Sequence, residues 1–137
     1  MKLGLVVSDF NFDVTSLMLE RARRHGEFLG AELMVVHVPG VFDMAPIIKR
    51  MLARKDIDGV VLIGAVIKGD TMHDEVIINA TAQVAAQLAA QTGKPVGFGV
   101  TGPGMTREQA VDRIDNARNA VESVLKLLQT LKQIDSA

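Results

Sequence analysis

The chain has 137 residues, of which 48% are hydrophobic, 23% are charged and none is cysteine, and its formal net charge is −1. This size and composition predict one soluble domain over residues 1–137, large enough to bury a core without disulfides or a metal. The charge and the missing cysteines exclude nucleic-acid binding through a strongly basic surface, thiolate nucleophiles and cysteine-ligated zinc.

Short apolar runs alternate with helical patterns along the chain. In chain order, strands are expected at residues 3–8, 32–38, 58–67 and 96–101, and helices at about residues 13–28, 43–53, 72–91 and 106–133. Asp13 or Thr15 is expected to cap the first helix, and Thr106 with Gln109 forms a capping-box pattern at the last. That last helix is expected to kink around residues 116–119, and its end to fray.

The alternation predicts an α/β fold. Strands that are apolar on both faces are typical of a parallel sheet covered by helices on both sides. Right-handed crossovers then give a doubly wound, flavodoxin-like three-layer sandwich with four parallel strands in the order 2-1-3-4. So small a sheet has two open edges, and together with the apolar segment at residues 40–42 they indicate an oligomer.

The sequence shows no sign of membrane insertion or export. No stretch approaches the roughly 18 uninterrupted apolar residues of a membrane-spanning helix. The start, MKLGLVVSDF, has only a short apolar run before Asp9, unlike a signal peptide. We therefore expect a cytoplasmic protein that does not enter a membrane.

In open parallel sheets, ligands bind beyond the carboxyl ends of the strands. His73 is the one histidine in the loops expected there, and a helix start favours its neutral form, which can accept or donate a proton. His25 and His37 are expected to have structural roles. The four loops are residues 9–11, 40–43, 68–73 and 101–105.

The turn before His73 also suits an anion. Gly69 lets the backbone approach a ligand, and free N–H groups at a helix start point at a phosphate. Asp70 or Thr71 is expected to cap the helix, with the Asp70 carboxylate facing away from the anion that it would repel. Lys68 either binds the phosphate or is solvated.

Two arginines could add to an anion site. Arg113 and Arg118 are five residues apart, which places them on different faces of a continuous helix. A break near Asn116 would be needed to bring both to one anion.

Several familiar motifs are missing from the sequence. The first strand is followed by SDFNFD rather than a dinucleotide-binding GxGxxG, and there is no P-loop and no GxSxG elbow. No two histidines lie at metal-ligand spacing. We therefore expect no catalytic metal, and no dinucleotide held by that fingerprint.

Five segments resemble, in order, the 6,7-dimethyl-8-ribityllumazine synthases: VVSDFN, VPGVFDMAP, IGAVIKGDTMHDEVI, FGVTGPGMTREQAVDR and NARNA. The similarity runs from residue 3 to about residue 131, and GPGMT is similar to the archaeal members. It implies condensation of 5-amino-6-(D-ribitylamino)uracil with 3,4-dihydroxy-2-butanone 4-phosphate, the penultimate step of riboflavin biosynthesis. It implies no metal or cofactor.

The resemblance also implies the residues of the site. His73 would transfer protons, Phe10 would stack on the pyrimidine ring, and Asp43 stands where many members have Glu. Sites of this family form between subunits of pentamers, decamers or 60-subunit shells, so a homo-oligomer is implied. Other contacts to the ring and ribityl chain are expected from Asn11, Val41, Phe42, Ala65, Val66, Ile67 and the neighbouring subunit's copy of Phe98. Phosphate contacts are expected from Gly69, Asp70, Thr71, Arg113 of the neighbour, and Arg118, where the family has Lys.

Two alternatives stay open from the sequence. One is an archaeal-type riboflavin synthase, which shares the fold and dismutates two lumazines, although GDTMHDE and DFN favour the lumazine enzyme. The other is a flavin- or lumazine-binding module without catalysis. The lack of a phosphate-rich first loop and of any Trp or Tyr counts against it.

Overall fold

The computed structural model describes residues 1–69 and 73–137. Its strands are β1 (Lys2–Ser8), β2 (Glu32–Val38), β3 (Gly59–Ile67) and β4 (Val96–Met105). Its helices are α1 (Phe12–Phe28), α2 (Ala45–Ala53), α3 (Asp74–Thr92), α4 (Arg107–Asp112) and α5 (Asp115–Ser136), and a 3₁₀ turn, Val41–Met44, leads into α2. No helix in the described ranges is long and apolar enough to cross a membrane.

The four strands form one sheet in the order β2-β1-β3-β4. β1 pairs in parallel with β2 on one side and with β3 on the other, and β3 pairs in parallel with β4. The predicted α/β class, flavodoxin-like layering and strand order 2-1-3-4 are therefore confirmed. Because all strands are parallel, their carboxyl ends meet at one edge of the sheet, where a ligand site is expected.

The sheet separates two hydrophobic cores. Leu3, Leu5 and Val7 of β1 face a core shared with α1, α4 and α5, whereas Val6 faces a core shared with α2 and α3. All nine residues of β3 are buried. Burial of each large apolar side chain stabilises the fold by roughly 1.5–3 kcal/mol, which explains why both faces of the inner strands are apolar.

β4 extends past the predicted end at Thr101. Ala65 pairs with Thr101 but Ile67 pairs with Met105, so residues 102–104 bulge out of the regular ladder. Gly102 has a φ of 118°, and a Cβ there would collide with the carbonyl oxygen of Val66. The sequence Gly-Pro-Gly is typical of a strand end, which is why the resumption of pairing was not predicted.

Helix starts and breaks differ from the prediction in two places. Asn11, not Asp13 or Thr15, precedes α1, and its carbonyl oxygen accepts from the backbone N–H groups of Val14 and Thr15 at 2.9 Å each. The break between α4 and α5 lies at residues 113–114 rather than 116–119. Helix α5 also continues to Ser136, where fraying had been expected.

One cap is confirmed at α4. The Thr106 hydroxyl accepts from the Gln109 backbone N–H at 3.2 Å, and the Gln109 side chain accepts from the Thr106 N–H at 3.0 Å. This reciprocal pair satisfies two backbone donors that a helix start leaves without partners. The cap predicted at Asp70 or Thr71 lies outside the described residues.

Candidate active site

Two recesses lie beyond the carboxyl ends of β1 and β3. The first, called the apolar recess, has a volume of about 210 Å³. Its lining residues are Ser8, Phe10, Gly40, Val41, Phe42, Ala65, Val66 and Ile77. The second, called the histidine recess, has a volume of about 410 Å³. Its lining residues are Lys68, His73, Asp74, Glu75, Val76, Pro103 and Gly104.

The apolar recess has a buried floor and an aromatic mouth. Val41 and Val66 belong to the buried core under α2 and α3, whereas more than half of the surface of Phe10 and of Phe42 is exposed. Exposed aromatic rings beside an apolar recess mark a binding surface. A flat apolar or aromatic group could therefore enter between these rings.

The side chains of Val41 and Ser8, which line the recess, pack directly against Gly64. A Cβ built on Gly64 would lie 2.7 Å from Val41 Cγ2 and 3.5 Å from Ser8 Cβ. Any side chain at position 64 would therefore push into the floor of the recess.

The loop that carries Phe10 is tied to its neighbours by backbone hydrogen bonds. Asp9 N donates to the Val38 oxygen at 2.8 Å, and Phe10 N donates to the Pro39 oxygen at 3.0 Å. Asn11 follows in the left-handed conformation, with φ 62° and ψ 43°. Asn tolerates this conformation better than most residues, so the turn holds the Phe10 ring at the mouth of the recess.

Asn11 connects this loop to the end of β3. Its side-chain Nδ2 donates to the Ala65 carbonyl at 2.9 Å, and its Oδ1 accepts from Arg107 Nη2 at 3.0 Å. Arg107 Nη1 also contacts both carboxylate oxygens of Asp13, at 2.7 and 2.6 Å. Arg107 was missed by sequence reasoning, since it lies 94 residues from Asp13 and no local pattern joins them.

Asp43 belongs to the 3₁₀ turn beside the apolar recess. Its Oδ2 accepts from the Gly40 backbone N–H at 3.0 Å, which fixes the turn that presents Val41 and Phe42. A carboxylate can accept several hydrogen bonds, so this contact leaves acceptor capacity for a ligand hydroxyl. The predicted contact of Asp43 with a ribityl chain stays a prediction.

His73 lies at the start of α3 in the histidine recess. It occupies the position immediately before Asp74, whereas the helix predicted at about residues 72–91 included it, and its carbonyl oxygen accepts from Ile77 N at 3.0 Å. Gly69, in the turn that leaves β3, has a φ of 90°, which favours glycine. Asp70 and Thr71, the other predicted phosphate contacts, lie outside the described residues.

Three predicted residues lie away from both recesses of their own chain. Phe98 is on the edge strand β4, in a groove with Asn116 and Asn119. Arg113 follows α4, and its Nη1 lies 3.8 Å from Met105 Sδ. Arg118 lies instead in a groove beside α1, so the helix break does not give Arg113 and Arg118 shared neighbours.

The two other histidines lie outside the recess linings. His25 is largely buried, with its Nε2 3.5 Å from Glu122 Oε1. His37, on the edge strand β2, has its Nδ1 2.9 Å from Asp9 Oδ1. Within residues 1–69 and 73–137, no group of three or more His, Asp or Glu side chains is placed to hold a metal ion.

Comparisons with known proteins place the chain among its relatives. A family model described as 6,7-dimethyl-8-ribityllumazine synthase matches residues 1–132. A protein of that name from Sulfolobus acidocaldarius is 54% identical over 134 residues, covering 96% of this chain and 85% of the relative. Another, from Methanococcus maripaludis, is 51% identical over 134 residues, covering 97% of this chain and 98% of the relative. The resemblance seen in the sequence is confirmed: the chain belongs to the 6,7-dimethyl-8-ribityllumazine synthase family, whose members are transferases.

Proposed function

We propose that the protein condenses 5-amino-6-(D-ribitylamino)uracil with 3,4-dihydroxy-2-butanone 4-phosphate. The products would be 6,7-dimethyl-8-ribityllumazine, phosphate and two molecules of water, and the protein would act in the cytoplasm, at the penultimate step of riboflavin biosynthesis. The observation that carries this proposal is the pairing of two unlike recesses at one sheet edge. One suits a flat ring, and the other holds a histidine beside a helix start.

The apolar recess supports binding of the pyrimidine. Its volume of about 210 Å³ is below the roughly 300–1,000 Å³ of pockets for drug-sized ligands, so it suits a single ring rather than a dinucleotide. Phe10 would stack on that ring, since aromatic groups prefer offset-stacked contacts. Val41, Phe42, Ala65, Val66 and Ile67 would surround the ring, with Asn11 and Asp43 at its polar side.

The chemistry needs no nucleophile from the protein. The amine of the pyrimidine attacks the ketone to give a carbinolamine, which loses water to form an imine. Elimination of phosphate then leaves an enol that tautomerises to a ketone. The second nitrogen attacks this carbonyl, and loss of a second water closes the ring. The protein's task is to align two substrates, which can contribute several kcal/mol, and to move protons.

His73 would carry out the proton transfers. An imidazole can accept a proton at one stage and donate it at another near neutral pH. Its place in the histidine recess, whose Lys68 follows Val66 of the apolar recess by two residues, supports this role. Removal of water from the carbinolamine and closure of the ring both need such a group.

The phosphate would bind where β3 runs into α3. Positive φ at Gly69 lets backbone N–H groups turn toward an anion, and we assign Asp70 and Thr71 to the same cradle. Arg113, Arg118 and Phe98 line neither recess of their own chain, which supports a site completed by a neighbouring subunit. We therefore propose a homo-oligomer, a pentamer or a larger assembly of pentamers.

The test is to mix the protein with both substrates and follow lumazine absorbance together with phosphate release. We expect both products to appear in equal amounts at a rate well above the uncatalysed reaction. A rate equal to the background would contradict the proposal. Incubation with lumazine alone separates the alternative, since a riboflavin synthase would form riboflavin from it, and native mass spectrometry would measure the assembly.

A further inference from the structure

Three hydroxyl groups are buried without a hydrogen-bond partner among the described residues. They belong to Ser8, Thr15 and Thr101, each at most 2% exposed. A buried hydroxyl that loses water and gains no partner is unfavourable, so each is a feature to be explained. Of the three, Ser8 is the one that lines the apolar recess.

Ser8 differs from the rest of that lining. The other residues that surround the recess are Phe10, Gly40, Val41, Phe42, Ala65, Val66 and Ile77. None of these side chains can form a hydrogen bond. Ser8 therefore supplies the one polar side chain among the described residues that line the recess, and it stands at the floor rather than at the mouth.

The position of Ser8 relates it to the ring site. It is the last residue of β1, two residues before Phe10, whose ring stands at the mouth. Gly64 packs tightly against it, since a Cβ there would lie 3.5 Å from Ser8 Cβ and 2.7 Å from Val41 Cγ2, so the buried Ser8 and Val41 together form the inner end of the recess. A group that enters the recess next to Phe10 therefore brings its inner edge toward the Ser8 hydroxyl.

We propose that Ser8 Oγ binds the polar edge of the pyrimidine and fixes the orientation of the ring in the apolar recess. A hydroxyl can both donate and accept, so it suits a ring edge that carries a carbonyl oxygen and an N–H. The buried hydroxyl then gains its partner only when the substrate is bound. This inference rests on the proposed function and adds a residue that selects polar-edged rings over apolar rings of the same shape.

The first experiment separates binding from stability. Ser8→Ala should weaken binding of 6,7-dimethyl-8-ribityllumazine, measured by fluorescence titration, about fivefold, the typical net effect of one hydrogen bond. The KM for the pyrimidine substrate should rise by a similar factor, while the KM for the phosphate-bearing ketone stays unchanged. The melting temperature of the free enzyme should stay equal or rise, because an unpartnered buried hydroxyl is removed.

Two controls sharpen the result. Thr15→Val removes an equally buried and unpartnered hydroxyl on α1 and should leave lumazine binding unchanged. Ser8→Thr and Ser8→Val have nearly equal volume but differ in the hydroxyl. The Thr variant should therefore bind lumazine more tightly than the Val variant.

The outcomes distinguish this inference from the proposed function. If the unaltered enzyme forms no lumazine from the two substrates, the proposed function and this inference both fail. If it does, and Ser8→Ala binds lumazine as tightly as the unaltered enzyme, the inference alone is overturned. Equal binding by the Thr and Val variants would overturn it as well.

Discussion

The two recesses at the carboxyl edge of the sheet differ in almost every property. The apolar recess is the smaller, and a single buried hydroxyl interrupts its hydrophobic lining. The histidine recess is wider and is lined by a lysine, a histidine and two acidic residues. One short segment of sequence contributes to both, since Ala65 and Val66 of β3 line the apolar recess and Lys68, just after β3, lines the histidine recess.

This contrast indicates a division of tasks. A largely apolar cavity orients a ring, because apolar walls and few polar groups define one pose. A charged recess suits groups that change protonation or hold an anion. An enzyme that aligns two substrates and moves protons between them needs both environments side by side. Substitutions in the apolar recess should then change the KM for the pyrimidine, and substitutions in the histidine recess should change kcat.

The largest effect is expected from loss of the imidazole in the histidine recess. His73→Gln keeps a polar side chain but removes proton transfer, so kcat should fall about 10²-fold, at the low end of the range for a placed acid or base. The KM for the pyrimidine should change little. Steady-state kinetics would measure both, with His37→Gln, outside both recess linings, as the control. A kcat within threefold of that of the unaltered enzyme would show that His73 is not the group that transfers protons.

A smaller effect is expected from the mouth of the apolar recess. Phe10→Ala should raise the KM for the pyrimidine about tenfold, since an aromatic contact contributes roughly 0.5–1.5 kcal/mol beyond area burial. Stability should change little because the ring is more than half exposed. Phe28→Ala, at an exposed ring on α1, serves as the control. A change in kcat without a change in KM would contradict the assignment of ring binding to the apolar recess and of proton transfer to the histidine recess.

Loss of the contacts between the Phe10 loop and its neighbours should have a smaller effect on the pyrimidine KM. Arg107→Met removes the contacts to Asn11 and Asp13, and we expect the pyrimidine KM to rise about threefold. Because Arg107 and Asp13 are about half exposed, the loss in folding free energy should stay below about 1 kcal/mol. Arg21→Met, which breaks the similarly exposed pair with Asp115, should leave the KM unchanged. Equal effects of the two substitutions would contradict a positioning role.

The smallest effect on activity is expected from substitution of Asp56, which lies just before the amino end of β3. Hydrogen bonds from Arg54 and then Lys2 hold the pKa of Asp56 well below its usual range. The ionised carboxylate therefore contributes stability above the ordinary value of 3.8, and that contribution is lost as the pH falls below it. Asp56→Asn should flatten the loss of thermal stability in acid and leave activity near pH 7 unchanged. Melting curves from about pH 5 to about pH 2 would reveal it; an unchanged acid slope would contradict it.

The sheet and its order were predictable because their signals are local. The run from residue 59 to residue 67 is apolar without interruption, and all nine residues of β3 are buried. The alternation of strands and helices then leaves few topologies. The bulge in β4 was not predictable, because a Gly-Pro-Gly sequence usually ends a strand. β4 continues beyond it only because Met105 pairs with Ile67.

The site was predictable where a motif carries it and not where distant residues meet. The segment around His73 identified the family and the histidine recess. The contacts of Arg107 with Asn11 and Asp13 join residues more than 90 positions apart, so no spacing in the sequence indicates them. Ser8 was also missed, because a serine at the end of a strand gives no sign of whether its hydroxyl will find a partner.

The bulge in β4 has a consequence for how sequences of this kind can vary in length. The strand is fixed before the bulge by pairing at Thr101 and after it by pairing at Met105, whose oxygen also accepts from Lys68 N at 2.6 Å. Pro103 and Gly104 between these two points form a wall of the histidine recess. Insertions or deletions after Gly102 would reshape that wall while the strand register on either side is kept, which makes residues 103–104 a natural position for loop grafting.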